Sequence, residues 1–299
     1  MDIKFSIILP TYNCKYLERA IDSVINQNYR FWELIIIDNH SKYDVLKVIK
    51  NKKNRKIKYL KNKIRIIGKS RNLGILKSKY TWIAFLDSDD LWYPNKLEEI
   101  RKKIVKSKKD FFYHNMHVNN NDVQRLFKRK LYYGFKDQLD NRFDDLIING
   151  NDIIQSSVVV KKKLIEKAGY FSESKDLMYW EDFDLWLRIS QITNKFQRIN
   201  ECLGQYFISR NKKIKHSRFI KNITYFEKKY RVSIRFLKKK YKLKNIWWIQ
   251  YAKSLDSYNK NRLTETKKIL DEVEVYNKRI RLNIIYIRFK IFIKGFLKK

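Results

Sequence analysis

Residues Trp82-Ile-Ala-Phe-Leu-Asp87-Ser88-Asp89-Asp90 constrain this chain more than any other stretch: an apolar run that stops on a cluster of carboxylates. The unbroken apolar segment Trp82 to Leu86 is what a strand covered on both faces requires. Such strands belong to parallel sheets flanked by helices, and open α/β sheets place their ligand crevices at strand carboxyl ends. Asp87 and Asp89, one residue apart on the turn, suit a hard divalent cation whose other ligands are waters and phosphate oxygens. The competing reading is structural: Asp89 or Asp90 caps a helix starting near Pro94, with the proline in its first turn.

The residues before this run repeat a strand-then-helix pattern. Strands are predicted over Phe5–Leu9, Glu33–Ile37 and Lys56–Leu60, the last at an edge. Helices are predicted where Leu17, Ala20, Ile21, Val24 and Ile25 recur at helical spacing, over Tyr43–Lys50 and over Ser70–Ser78. That alternation implies a parallel sheet with right-handed crossovers. Pro10, Asp38 and Asp87 then meet at one sheet edge. Beyond Phe111, strands are predicted over Phe111–Met116, Ile153–Val160, Phe196–Ile199 and Gln205–Ser209, with a helix over Asp184–Ile192. The polar segment 119–150 reads as loops around a helix or hairpin. From about residue 211 the chain is basic, aromatic and mainly helical. The expected organisation is one domain over 1–210, in halves 1–110 and 111–210, and a basic helical region over 211–299.

Charge is lopsided. Sixty-eight Lys and Arg against 31 Asp and Glu give +37, and residues 201–299 alone hold 28 basic and 7 acidic side chains. An anionic partner follows, either nucleic acid or an acidic membrane surface, although a lysine-rich source composition would also raise these counts. With 7 Gly and no Walker-type motif there is no glycine-rich triphosphate loop. Cys14 and Cys202 have no metal-ligand spacing, which fits a reduced cytosolic compartment. The opening residues are too polar for a signal peptide, and no run reaches the roughly 20 apolar residues of a membrane span. Ile284 to Leu297 comes nearest but is broken by Arg288, Lys290 and Lys294.

Further motifs sit at the predicted strand ends and helix starts. Pro10-Thr11-Tyr12-Asn13 follows the first strand, where a Tyr can stack on a nucleobase and neighbours can read its edge. Asp38 can accept hydrogen bonds from a base imide or a ribose hydroxyl, or merely cap a helix. Arg71-Asn72-Leu73-Gly74 reads as a helix start, where backbone amides and a guanidinium suit phosphate. Trp180-Glu181-Asp182-Phe183-Asp184 opens an apolar-periodic helix. Its acids are either an N-terminal capping pattern or a general base beside a Trp that offers a flat face to a sugar ring.

In order and spacing these motifs, with Ser156-Ser157-Val158-Val159 and Leu185-Trp186-Leu187-Arg188, resemble glycosyltransferase family 2 over about Phe5 to Tyr206. The resemblance implies the A-type glycosyltransferase fold and inverting transfer of a sugar from a nucleotide diphosphate donor. It implies that Pro10, Thr11, Tyr12, Asn13, Asp38, Arg71, Asp87 and Ser88 hold the nucleotide sugar. Asp89, with Asp87, would hold Mn2+ or Mg2+. Asp182, or its neighbour Glu181, would be the base, with Trp180 against the acceptor. Two departures stand out. Asp38-Asn39-His40-Ser41 replaces the family's frequent Asp-Asp-Gly-Ser, and Tyr206-Phe207-Ile208-Ser209 replaces a Tyr-Arg-x-His element, which leaves its histidine without a counterpart in the motif; His216 is the nearby residue that could substitute.

The expected partners are a nucleotide diphosphate-sugar, UDP-linked in the first instance, and a glycan or lipid-linked acceptor of cell-surface polysaccharide synthesis. Two rivals keep a place. A nucleic-acid-binding protein would explain +37 but not acids along the sheet edge, so no nucleic acid is expected. A nucleotidyltransferase would use the same aspartates but lacks its triphosphate loop. The basic tail from Arg279 to Lys299, with Phe289, Phe292 and Phe296, reads as peripheral contact with the cytoplasmic face of an anionic membrane, or as a dimer interface or solvated appendage.

Overall fold

The computed structural model describes residues 3–119, 131–133, 139–207 and 216–273, together with 284, 285, 288 and 291. The chain divides into two compact units, one of residues 1–137 and 151–212, the other of 138–150 and 213–299. The segment 138–150, expected among the loops of the second half, therefore groups with the C-terminal helices.

The first unit is built on a nine-stranded sheet. Its leading block contains strands β1 (Phe5–Thr11), β2 (Trp32–Asp38), β3 (Ile57–Lys61) and β4 (Trp82–Phe85). They run parallel in the order β3-β2-β1-β4. Every residue of β1, β2 and β4 is buried, which explains their mostly apolar sequences; the buried Ser6 of β1 donates to the buried Glu33 of β2 at 2.7 Å. Helices α1 (Leu17–Ile25), α2 (Val45–Asn51) and α3 (Ile67–Leu76) form the crossovers. Asp44 caps α2 by accepting from the Lys47 amide. Order along the sheet reverses beside β1, between β2 and β4, which is where doubly wound sheets open their crevice.

The sheet continues through β8 (Val159–Lys161), β6 (Phe111–Asn119), β9 (Phe196–Phe207) and the short β5 (Leu91–Trp92), while β7 (Leu131–Tyr133) pairs with β6. Where loops around a helix or hairpin are expected within 119–150, the described residues hold a helix over Arg142–Asn149 and the strand β7, which pairs antiparallel with β6 from Met116↔Tyr133 to Val118↔Leu131. Two expectations are corrected. Ile153–Val160 is not one strand: Gln155–Ser157 is a 3-10 turn, and the strand begins only at Val159. The two strands expected near Phe196 and Gln205 are one, β9, interrupted by bulges where His114↔Ile199 is followed by Asn115↔Cys202. Asn200 and Glu201 are the extra residues, and their polarity imitates a loop.

Helices α4 (Lys96–Lys106), α6 (Lys162–Lys167) and α7 (Glu181–Ile192) complete the first unit. Helix α7 is fixed to the sheet by an aromatic cluster in which Trp186 meets Phe111 and Phe171 edge-on, at 4.9 and 6.0 Å. The second unit contains α5 (Arg142–Asn149), α8 (His216–Lys229), α9 (Arg231–Lys240), α10 (Trp247–Asn259) and α11 (Leu263–Asp271). There Trp248 donates its Nε1 hydrogen to the Ile147 carbonyl and lies against Phe226. Of the tail expected to meet a membrane only 284, 285, 288 and 291 are described, with Arg288 donating to the Leu270 carbonyl and to Asp271; Phe289, Phe292 and Phe296 lie outside the described residues, as does the side chain of His216. Among the described residues no helix is long and apolar enough to cross a membrane.

Candidate active site

The expected convergence at the strand ends is present. Backbone hydrogen bonds join Asn39 to Thr11 and Asn62 to Asp38, so the ends of β1, β2 and β3 are locked side by side. Pro10 and Thr11 are buried in the last turn of pleat, whereas Tyr12 and Asn13 stand out at the tip. Tyr12 is 43% exposed, with the Arg65 guanidinium 5.0 Å from its ring centroid. Asp38 accepts from the Ser41 amide at 2.8 Å and from the Tyr59 hydroxyl at 3.0 Å. Burial and the Asp38 carboxylate push the Tyr59 hydroxyl up to about 12. The loop after Asp38 turns through His40 at φ 63°, the left-handed conformation that the Gly of Asp-Asp-Gly-Ser would adopt without strain.

The turn after β4 is fixed at each residue from outside. The Asp87 amide donates to Ser156 Oγ, the Cys14 thiol to the Ser88 carbonyl, and Arg19 to the Asp89 carbonyl. Asp90 accepts from Ser156 Oγ at 2.5 Å and from the Phe207 amide at 2.9 Å. This decides the capping question for α4: Asn95 occupies the cap position with no side-chain bond, and Asp90 instead ties the turn to the end of β9. Burial, then Asp87 and Asp89, hold the Asp90 carboxyl well above the ordinary range. Beneath it the wholly buried Lys96 donates to the Ser156 carbonyl and lies 3.3 Å from the Trp92 ring centroid. Desolvation drives that amine well below its usual value.

Arg71 is not at a helix start. It lies in the second turn of α3, whose backbone amides there are committed to the helix, so the amide half of the expected phosphate site is overturned. Gly74 explains how the helix comes so close: a Cβ there would sit 2.8 Å from Ile8 and Ile37 side-chain carbons. The buried guanidinium donates to Asp87 at 2.8 Å and to Glu181 at 2.6 Å, joining the two acidic motifs across 16 and 110 residues of sequence. Its neighbour Asn72 accepts from the Phe171 amide and donates to the Phe171 carbonyl and Glu173, holding the segment that leads into α7.

At the first turn of α7 the half-buried Asp182 accepts from the Phe183 amide. Its carboxyl is pushed up to about 7, by desolvation first and the Glu181 charge second, against the pull of Arg71. Further along, Asp184 accepts from Arg188, which also donates to the carbonyls of Ala168 and Tyr170; this pair stabilises the loop before the helix. Trp180 is half-buried against Phe183. Tyr179, which the sequence did not single out, is exposed and held at φ 75° immediately before it. Asn72 and Ser156 stand inside motifs that carry the family resemblance but have no role assigned by it, and Tyr179 has no sequence signal beyond its place before Trp180.

Among the described residues no group of three His, Cys, Asp or Glu side chains gathers to hold a metal ion. Two carboxylates on one turn nonetheless fit a Mg2+-like cation, which takes one or two protein carboxylates and completes its shell with substrate phosphate and water.

The family model described as glycosyl transferase family 2 matches residues 6–169, more than half of the chain. The chain belongs to this family. Among curated relatives it is 29% identical over 198 residues to the UDP-Glc:alpha-D-GlcNAc-diphosphoundecaprenol beta-1,3-glucosyltransferase of Escherichia coli, covering 64% of this chain and 72% of that one. It is 37% identical over 216 residues to an uncharacterized glycosyltransferase of Rickettsia conorii, covering 70% of this chain. The chain spans only 33% of that protein's length and 26% of a Rickettsia bellii glycosyltransferase that it also matches. In fold it resembles Staphylococcus aureus TarS 1-349 in complex with UDP-GlcNAc, with TM-score 0.61, 18% identity and coverage of 74% of this chain and 64% of that one. A Pyrobaculum calidifontis mannosyltransferase in complex with GDP-Man and Mn2+ aligns at TM-score 0.55 and 15% identity, over 78% of this chain and 64% of that one. The fold is therefore the A-type glycosyltransferase fold, carried by a glycosyltransferase family 2 domain.

Proposed function

We propose that this glycosyltransferase moves a hexose from a UDP-sugar to a lipid-linked glycan acceptor of cell-surface polysaccharide synthesis, with inversion. The observation that carries the reading is Arg71, which holds the carboxylate turn after β4 and the acidic start of α7 on one guanidinium. A donor-side motif and an acceptor-side motif so joined are what a direct displacement between two bound substrates requires. UDP complexes of the TarS neighbour and the lipid-diphosphate acceptor in the E. coli relative's name support donor and acceptor class.

In this reading Tyr12 stacks on the base, Thr11 and Asn13 line it, and Asp38 accepts from the uracil or ribose. A Mn2+ or Mg2+ ion held by Asp87 and Asp89 with donor phosphate oxygens would supply neutralisation of the departing diphosphate. Asp182 takes the proton of the acceptor hydroxyl as its oxygen attacks the anomeric carbon opposite the diphosphate. The bond to the diphosphate oxygen breaks in the same step. Glu181 is less suited to be the base, because Arg71 occupies one of its oxygens at 2.6 Å and the side chain is buried. Trp180 and Tyr179 offer aromatic faces to the acceptor. The enzyme works at the cytoplasmic face of the membrane that carries its acceptor.

The test is a thermal-shift panel of nucleoside diphosphates with and without Mn2+. UDP with Mn2+ should raise the melting point, by about 2.7 kcal/mol of linkage at a hundredfold excess over Kd. Asp89→Ala should lose the Mn2+-dependent part while melting as the parent does. A shift by another diphosphate alone would replace the donor; none by any would remove the nucleotide site.

A further inference from the structure

Helix α9 carries the most exposed large apolar side chain among the described residues, Val232 at 81%, with Phe236 at 63% one turn on. Residues four apart on a helix share one face, so the two form a single apolar ridge. The same stripe holds Arg231, Arg235 and Lys239, all exposed, and α9 has no acidic residue among its ten. None of these three cations meets a carboxylate within ion-pair distance among the described residues, whereas Lys240, four residues beyond Phe236 at the end of the ridge, is paired with Asp144. The opposite face is committed to the second unit's own packing through the buried Leu237 and the Tyr230 that precedes the helix.

An apolar ridge flanked by unpaired cations fits one kind of partner. A nucleic acid or acidic polysaccharide would use the cations but leave Val232 and Phe236 in water. A second copy of this chain would bring like charge against the stripe, because residues 201–299 carry 28 basic against 7 acidic side chains. An anionic bilayer satisfies both parts, with lipid phosphates meeting the cations and the headgroup–acyl boundary accepting the apolar ridge. We infer that the exposed face of α9 is a docking surface for an anionic lipid bilayer, with Val232 and Phe236 inserted and Arg231, Arg235 and Lys239 on phosphates. This deepens the proposed use of a membrane-borne acceptor but stands on the helix alone, independently of the tail.

Flotation of the full chain with vesicles tests it. The parent should float with phosphatidylglycerol–phosphatidylcholine vesicles at low salt and not with phosphatidylcholine alone. Arg231→Gln/Arg235→Gln/Lys239→Gln should weaken binding roughly a hundredfold, at about fivefold per cation near an anionic surface. Val232→Ser/Phe236→Ser should weaken it roughly tenfold. Val105→Ser/Leu76→Ser, which removes exposed apolar groups from the first unit, should leave flotation unchanged. All variants should hydrolyse nucleotide sugar in solution as the parent does, so a wrong donor reading shows in that assay and leaves flotation untouched. Equal flotation of the α9 variants and the parent overturns the inference, as does equal binding to neutral vesicles. A concentration-dependent dimer that Val232→Ser/Phe236→Ser breaks, without flotation, would replace the bilayer by a second copy.

Discussion

Two acidic clusters of similar composition are treated in opposite ways by the fold. Asp87-Ser88-Asp89-Asp90 sits on a turn whose geometry is imposed from outside, by Ser156, Cys14, Arg19 and the Phe207 amide. Glu181-Asp182 sits on the first turn of a helix and has little outside support beyond Arg71. The first arrangement fixes where oxygens are, as a positioning site needs. The second crowds two carboxylates in a poorly hydrated place and so raises the basicity of one of them, Asp182, to about 7. Position and basicity are separate products of the same residue type.

Four substitutions test that contrast. The largest effect should come from Arg71→Met, which leaves Asp87 and Glu181 without their shared cation. Breaking a buried pair of this kind costs about 3–5 kcal/mol, so the midpoint of urea unfolding should fall steeply and transfer should vanish. Loss of activity with unchanged stability would show that Arg71 joins the clusters only nominally.

Next is Asp182→Asn. Turnover should fall roughly 100-fold, the scale of a lost general base, with donor KM nearly unchanged. For the parent, kcat/KM should drop tenfold per pH unit below about 7, because Asp182 must be deprotonated to accept the acceptor proton. The stability sign is opposite. The folded-state value lies above the ordinary 3.8, so this group favours the fold below about 4 and loses that contribution as pH rises through about 7. At pH 8 Asp182→Asn should therefore melt no lower than the parent. A lower melting point together with a flat pH profile would assign Asp182 to structure.

Ser156→Ala should come third. Asp90 would lose a buried donor and the Asp87 amide its acceptor, at a cost of about 1–3 kcal/mol. If the turn is a positioning element, donor KM should rise more than kcat falls. The smallest effect should follow Lys96→Met. Its amine donates to the Ser156 carbonyl, and desolvation already opposes its charge. An apolar group of similar length should change stability by less than about 1.5 kcal/mol. A loss as large as that of Arg71→Met would mean that Lys96 acts as the counter-charge of Asp90.

The parallel block of the sheet was legible because β1, β2 and β4 are buried on both faces and their sequences have no other reading. The meeting of Pro10, Asp38 and Asp87 followed from topology alone. What sequence missed was tertiary. Asp90 looks like an ordinary cap until Ser156 and Phe207 claim its oxygens. The start of α3 has no sequence signal, because Ile66 at its cap position makes no side-chain bond and Gly68 and Lys69 lie in its first turn, so Arg71 reads as terminal when it is internal. Asn200 and Glu201 divided β9 because a bulge in a strand and a loop between strands have the same composition. The closure of Arg71 onto Glu181 had no local signature.

That closure also bears on the order of assembly. Asp87 lies 16 residues from Arg71, but Glu181 lies 110 residues away. During synthesis the amino-terminal crossovers can form while Arg71 has only half of its counter-charge. Full neutralisation waits until the chain has grown past residue 181. Contacts of such separation are late and slow to form. The amino-terminal half, although it holds most of the parallel sheet, is electrostatically unfinished by itself, and fragments ending before α7 should be poor folders however complete their strands.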